Sequence, residues 1–252
     1  MAIEITKVGL TDILHLRDLF LQENNFQIRY NACHERGWTD SYLISYNKEK
    51  IGYGSIKGLE NHGDRDTVFE YYIIPSFRKL SSAVFLKLLY SSEAHFIESQ
   101  SNDLLLTSLL YEYGQNIHSD VILFEEHFTS DIRFDKILFR KRNEHDMAFE
   151  HKAEPLGDYV LEMNKEVIAT GGFLLHYNMP FADLYMEVKE DYRRKGFGSF
   201  LIQELKKQCY ISGRVPAART GKENLASKAT LIKAGLKIAG YMLLGNFKQK
   251  EE

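Results

Sequence analysis

Two stretches of this chain, YLISYNKEKIGYG at residues 42–54 and YVLEMNKEVIATG at residues 159–171, lie 117 positions apart and share six of thirteen residues. Each reads as an extended apolar run, an Asn-Lys-Glu turn and a second apolar run, which is a hairpin pattern. The order then continues in both halves. FEYYII (69–74) and LYMEV (184–188) supply a further strand, and a basic turn follows, Phe77-Arg78-Lys79 in one half and Tyr192-Arg193-Arg194 in the other. The offset falls to 115 at that turn. The change sits in the intervening loop, where insertions cost little. Such a repeat constrains the fold more than any single motif, because each half must close the same order of strands. The expectation is a duplicated chain, with one lobe at 1–130 and a second at 131–252.

Helices follow the basic turns. Phe200, Leu201, Leu205 and Cys209 recur at helical spacing, as do Phe85, Leu86, Leu89 and Tyr90. Thr11-Asp12 opens another helix, with Ile13, Leu14, Leu19 and Phe20 as its apolar positions, and 31–36 suggests a short second one. Strands and helices alternate in both halves, so the class is α/β (α+β) with a mixed sheet. Only four prolines interrupt the 252 residues. The two lobes are therefore expected to be packed rather than strung on a linker.

Composition removes several classes of partner. A net charge of −3 argues against nucleic acid, whose phosphates call for a basic excess. No apolar run reaches the roughly 18–20 residues that cross a bilayer, and the N-terminus has no secretory pattern. Cys33 and Cys209 make neither a disulfide framework nor a zinc spacing. His145 and His151 fall in a polar stretch and read as solvated loop residues, so no metal is expected. A cytoplasmic protein follows by default.

The stretch EDYRRKGFGSFL (190–201) carries the most specific chemistry. A strand ending at Val188 runs through Arg193, Arg194 and Lys195 into a helix that starts near Gly198. A helix N-terminus offers unpaired N–H groups and a partial positive charge, so it binds anions. Gly196 and Gly198 allow positive φ and the close approach of a ligand. The arrangement suits a diphosphate held mainly by backbone amides; a tight turn with a solvated basic patch would use the same residues. The Walker pattern is absent, and Leu201 stands where a dinucleotide fingerprint needs its third glycine.

Arg193 to Gly198, RRKGFG, resembles the R/Q-x-x-G-x-G/A motif of the GNAT N-acetyltransferases. Downstream, NLASKATLIKAGL (224–236) looks like that superfamily's N-x-A-S…K-x-G-F segment, with Leu236 for the usual Phe. The resemblance covers about 158–247 well, and the first half looks like a degenerate copy. It implies two GNAT-like lobes, each a mostly antiparallel twisted sheet flanked by helices, with acetyl-CoA as co-substrate of the second. Arg193, Arg194, Lys195, Gly196, Phe197, Gly198 and Ser199 would then form the pyrophosphate loop. Met186 and Val188 would bond the pantetheine through their main chain, and the Met186 N–H would polarise the acetyl carbonyl. Asn224 would reach the cofactor from the far side of the cleft. In the first half Ser81 and Ala83 replace the glycines and Leu80 replaces Lys195, so no cofactor is expected there.

The same resemblance implies direct acetyl transfer to a primary amine of a small molecule or peptide, in a ternary complex. Glu187 is the candidate base, with Asp183 in reserve, and Ser227 the candidate acid. Two departures stand out: Arg219 occupies the place of a frequent glutamate, and Leu231 that of a frequent tyrosine. Cys209 reads as helix core, and Tyr241 as packing on a late strand over 237–247. The segment 131–157 is short for an acceptor-binding helix pair, so the first lobe is expected to wall the acceptor cleft. A tandem chain is compatible with a monomer, since one molecule then holds the pair that others obtain by dimerising. An acetyl-CoA sensor without turnover and a two-lobed scaffold remain as alternatives.

Overall fold

The computed structural model describes residues 2–24, 26, 31–175 and 177–247. In chain order the elements are β1 (Ile3–Val8), α1 (Leu10–Glu23), α2 (Asn31–Glu35), β2 (Thr39–Tyr46), β3 (Glu49–Lys57), β4 (Thr67–Ile73), α3 (Ser81–Ser92), β5 (Phe96–Gln100), α4 (Leu104–Tyr113) and β6 (Gly114–Glu126). Then come β7 (Leu138–Lys141), β8 (Tyr159–Met163), β9 (Glu166–Leu174), β10 (Phe181–Val188), α5 (Phe197–Ile211), β11 (Val215–Gly221), α6 (Leu225–Lys233) and β12 (Leu236–Phe247).

The chain forms two compact units. One holds Asn31–Asp120 with the elements before it and the chain from Gly240 onward; the other holds Val121–Ala239. These bounds differ from a cut after residue 130. The chain changes units within β6, and β12 ends in the first unit, where Met242 to Asn246 pair with Gln100 to Phe96 of β5. Tyr241 lies in that returning stretch and is 37% exposed rather than packed.

The two units share their hairpins in detail. Asn47 and Lys48 take φ of 48° and 72°, and Asn164 and Lys165 take 51° and 69°. Both turns thus place two consecutive residues in the left-handed region, the geometry that matches the twist of the flanking strands. Each hairpin is also irregular at one place, between Ile44 and Ser45 in one and between Leu161 and Glu162 in the other, again 117 positions apart.

In the first unit the sheet runs β1-β2-β3-β4-β5-β12, and in the second β6-β11-β10-β9-β8-β7. Pairing is antiparallel except for β4–β5 and β10–β11, which are parallel. In the second unit α5 packs its Phe197, Leu201, Leu205 and Cys209 on Ala182, Leu184 and Val188 of β10. Cys209 is fully buried there, and burial pushes its thiol up to about 12, so it is a core residue and not a nucleophile. In the first unit Val84, Phe85, Leu88 and Leu89 of α3 cover one sheet face. Ile13, Leu16 and Phe20 of α1 cover the other, against Tyr53 and Tyr72.

Candidate active site

The site begins where two parallel strands part. β10 and β11 are paired at Phe181–Val215, Ala182–Pro216 and Asp183–Ala217, and the ladder ends there. On its other side β10 stays paired with β9 as far as Val188–Ala169. The Lys189 N–H bonds the Ile168 carbonyl on the β9 side. Main-chain groups alternate in direction along a strand. Those of Leu184, Met186 and Val188 therefore point into the gap beyond the fork. Met186 and Val188 were expected to face a ligand in this way; Leu184 was not singled out. The Val188 carbonyl is already used, accepting from Arg193 Nε at 2.9 Å.

The gap opens towards the start of α5. Gly196 is the N-cap, at φ 90°, and Arg194 before it takes φ 61°. The first intrahelical bond is from the Phe200 N–H to the Gly196 carbonyl. The N–H groups of Phe197, Gly198 and Ser199 thus precede the helix ladder and face outward along its axis. At Gly198 a Cβ would lie 3.1 Å from Met186 Cε and 3.2 Å from Thr230 Cγ2. The protein's own packing of α5 on β10 and α6 is therefore close around this glycine, independently of any ligand. At Gly196 a Cβ would lie 3.6 Å from Lys233 Nζ.

The basic loop divides its charges. Arg193 is turned inward onto Val188 and Glu187, and Lys195 Nζ donates to the Asp191 carbonyl at 2.8 Å over the Tyr192 ring. Arg194 is exposed, with no protein partner among the described residues. Lys233, in the downstream motif but not singled out from sequence, brings its ammonium beside Gly196. Phe197 buries its ring against Phe134, centroids 5.0 Å apart, and Ser199 Oγ donates to the Thr230 carbonyl at 3.1 Å. Both side chains serve the core, so only their main-chain N–H groups are available to an anion. Asn224 caps α6 by accepting from the Ser227 N–H at 3.0 Å, which leaves its Nδ2 as a donor. Leu231 is buried in the core.

The opposite face of β10 carries Asp183, Tyr185 and Glu187. Glu187, the candidate base, is tightly held there. Its carboxylate accepts from three consecutive backbone amides, Lys152 at 3.1 and 3.2 Å, Ala153 at 3.1 Å and Glu154 at 3.2 Å. Burial alone would push this carboxyl up, but the three amides bring it below the usual carboxylate range. A carboxylate so well satisfied is a poor proton acceptor. His151 is likewise more than a solvated loop residue, stacking on Phe149 at 4.6 Å and bonding Thr170 Oγ1 at 2.6 Å.

Asp183 has the opposite environment. It is 5% exposed at the last rung of the fork, and burial pushes it up to about 6 despite Arg219 and Tyr177 beside it. Arg219 Nε lies 3.3 Å from Asp183 Oδ2, while Oδ1 is buried without a hydrogen-bond donor. The arginine that replaces the frequent glutamate is thus paired with a carboxylate one strand away. A buried acid poised near neutral pH can accept a proton at the fork.

The first unit has its own fork, paired only at Thr67–Phe96 and Val68–Ile97. Tyr71 pairs with Gly54 as Met186 does with Gly171, so the two residues hold equivalent places. The Tyr71 hydroxyl donates to the Ser81 carbonyl at 2.8 Å. Counted from the helix starts, Leu80 and Ser82 stand where Gly196 and Gly198 do, one residue earlier than the aligned turns indicate. Ser82 Oγ bonds the Glu112 carboxylate at 2.9 Å and the Tyr113 hydroxyl.

Comparison with known proteins agrees with this geometry. Residues 122–235 match the model of the acetyltransferase (GNAT) family. No curated protein matches the chain. Among solved structures, a GNAT-family acetyltransferase from Colwellia psychrerythraea superposes with TM-score 0.76 at 15% identity, covering 97% of this chain and all of that one. A GCN5-related N-acetyltransferase from Sphaerobacter thermophilus gives 0.60 at 12% identity over 99% and 97% of the two chains. A tandem GNAT protein from the clavulanic acid biosynthesis pathway gives 0.58 at 8% identity over 99% and 100%. Among the described residues no helix is long and apolar enough to cross a membrane. Residues 122–235 thus match the acetyltransferase (GNAT) family, and the whole length of the chain has the fold of solved GNAT proteins.

Proposed function

We propose that the second unit binds acetyl-CoA and transfers its acetyl group to a primary amine by direct attack in a ternary complex. The observation that carries this reading is the fork of β10 and β11, which opens onto the glycine-started helix α5. The main-chain groups of Leu184 and Met186 take the pantetheine arm. The N–H groups of Phe197, Gly198 and Ser199 take the diphosphate, aided by Arg194, Lys233 and the Asn224 Nδ2 group. The helix dipole supports the same charge.

In the transfer the amine nitrogen forms a bond to the acetyl carbon, and the carbon–sulfur bond breaks. The Met186 N–H stabilises the oxyanion between these events. Asp183 accepts the proton that the amine gives up, at its undonated Oδ1. The CoA thiolate takes a proton from solvent or from the Ser227 hydroxyl, at the third position of α6. No covalent enzyme intermediate is needed, which agrees with the inert Cys209.

The first unit keeps the strands and loses the ligand in this reading. Tyr71 fills the place of Met186, Leu80 cannot adopt the Gly196 conformation without strain, and Glu112 sets a carboxylate by the start of α3. A negative group there competes with a diphosphate for the same donors. Calorimetric titration of acetyl-CoA into the full chain should give one site. A Gly196→Glu, Gly198→Glu double variant should abolish it. Two sites would overturn the assignment of the first unit, and no binding to the parent chain would overturn the transferase reading.

A further inference from the structure

Residues 142–158, between β7 and β8, form a strap without regular structure that runs over the Asp183 face of β10. Its ends are held firmly. Arg140 grips Asp146 with both terminal nitrogens, at 2.8 and 2.6 Å, and Arg142 Nε donates to the Gly157 carbonyl at 3.0 Å. Gly157 lies so close to the Gly171 backbone that no Cβ would fit between them. The middle is anchored by His151 on Thr170 and by the Lys152, Ala153 and Glu154 amides on Glu187, with an exposed ion pair between Lys152 Nζ and Glu190 at 3.0 Å beside them.

Sheet packing does not require a carboxylate at this position. The equivalent residue of the first unit, Tyr72, pairs with Tyr53 as Glu187 pairs with Thr170. There the aromatic ring meets Phe20 of α1, centroids 5.9 Å apart. A helix covers the face in one unit, whereas in the other a strap covers it and needs a charge to bind its amides. The strap also carries Glu154, whose charge couples to Arg219, Asp183 and Glu187.

We propose that Glu187 is a positioning residue for acetyl transfer: by gripping the three amides it fixes the strap, Glu154 included, over the face of β10 that carries Asp183, and so closes the acceptor side of the fork. This rests on the reading of the fork as the transfer site, but its test does not require acetyl-CoA to bind. Groups that face Asp183 are Arg219 on β11, Tyr177 ahead of β10 and Glu154 on the strap. Releasing the strap removes Glu154 and admits water, and both changes lower the proton affinity of Asp183.

The experiment compares the full-length parent with Glu187→Gln and, as a second route that keeps the carboxylate, Ala153→Pro, which deletes one of the three donors. Hydrogen exchange reports the strap, and carboxyl NMR titration of Asp183 reports the site. Both variants should expose the amides of 152–154 to exchange on the order of tenfold faster, with the β10 and α5 amides unchanged. The Asp183 midpoint should fall from about 6 towards the ordinary aspartate range. Unchanged strap exchange in both folded variants would overturn the proposal, as would a loosened strap that leaves the Asp183 midpoint in place. Acetyl-CoA affinity, measured in parallel by calorimetry, should stay within about twofold of the parent. Loss of acetyl-CoA binding by the parent would count against the transferase reading alone.

Discussion

Asp183 and Arg219 meet at the point where β10 and β11 separate, with Oδ2 3.3 Å from Nε and Oδ1 buried without a donor. The guanidinium keeps one oxygen ionic while the other stays available for an incoming N–H. Burial holds the midpoint at about 6. The acid limb of the pH–rate profile for acetylation of a model amine should therefore fall near pH 6. Asp183→Asn should remove that limb and slow turnover by about 10²–10⁴-fold. A profile unchanged in the variant would place the base elsewhere.

The same shift makes a stability prediction of opposite sense to a salt-bridged acid. The folded midpoint, about 6, lies above the unfolded value of 3.8. Protonated Asp183 therefore stabilises the fold below pH 3.8, and that contribution is lost as pH rises through 6. Ionised Asp183 costs about 3 kcal/mol at pH 8 on this basis. Asp183→Asn should raise the denaturation midpoint at pH 8 and do so little at pH 4, measured by urea unfolding at both values.

The two loop glycines should separate on substitution. Gly196 sits at φ 90° and starts α5, so Gly196→Ala costs backbone strain and a poorer cap, about 1–2 kcal/mol of stability. Gly198 is helical, and its new Cβ would press on the flexible end of Met186 and on Thr230 Cγ2. Gly198→Ala should cost well under about 1 kcal/mol, because the thioether can move. The displaced Met186 then enters the gap, and acetyl-CoA should bind about tenfold more weakly. Chemical denaturation and calorimetry on both variants distinguish strain from obstruction.

Much of this was readable because it depends on near neighbours. Asn-Lys-Glu specifies its turn locally, and both hairpins have it. The R-x-x-G-x-G stretch holds the cap and the helix start within a few residues. What escaped depends on residues far apart in sequence. The role of Glu187 required knowing that amides 33 to 35 positions earlier fold back onto it. The setting of Asp183 depends on Arg219, 36 positions later on β11. The unit boundary was misplaced because β12 serves the second unit at Leu236 and the first from Gly240, a change with no break in composition to mark it. The turn before α3 is one residue shorter than the turn before α5, which shifted the glycine positions to Ser81 and Ala83 when the basic residues were aligned.

Lys233 tests the anion site without touching the fold. Its Nζ lies beside Gly196 at the positive end of α5, where a cation is unfavourable until an anion arrives. Lys233→Ala should leave thermal stability unchanged, weaken acetyl-CoA about five- to tenfold at low salt, and reduce the salt dependence of binding. Acetylated pantetheine, which lacks the diphosphate, should bind parent and variant equally. An equal loss for both ligands would show that the substitution disturbs the pantetheine gap instead.

Glu70 predicts the acid behaviour of the first unit. Its carboxylate is fully buried and accepts from Arg17 Nε and Nη2 at 3.0 Å each and from the Tyr53 hydroxyl at 3.0 Å, with His34 Nε2 at 3.1 Å. Burial alone would raise its proton affinity, but Arg17 and His34 hold it well below the usual carboxylate range. A depressed folded midpoint means that the stabilisation is complete above the unfolded value of 4.5 and is lost progressively as pH falls from there through the folded one, so little is lost by pH 4. Acid titration at pH 4 should therefore leave the near-ultraviolet signal of the Tyr53–Tyr72–Phe20 cluster intact. Glu70→Gln leaves Arg17 buried beside a neutral amide, and should destabilise the first unit by about 3–5 kcal/mol at pH 7. Adding Arg17→Met should recover part of that loss, since the buried guanidinium is then gone. A double variant no more stable than Glu70→Gln would show that the network acts through its shape and hydrogen bonds rather than through compensation of charge.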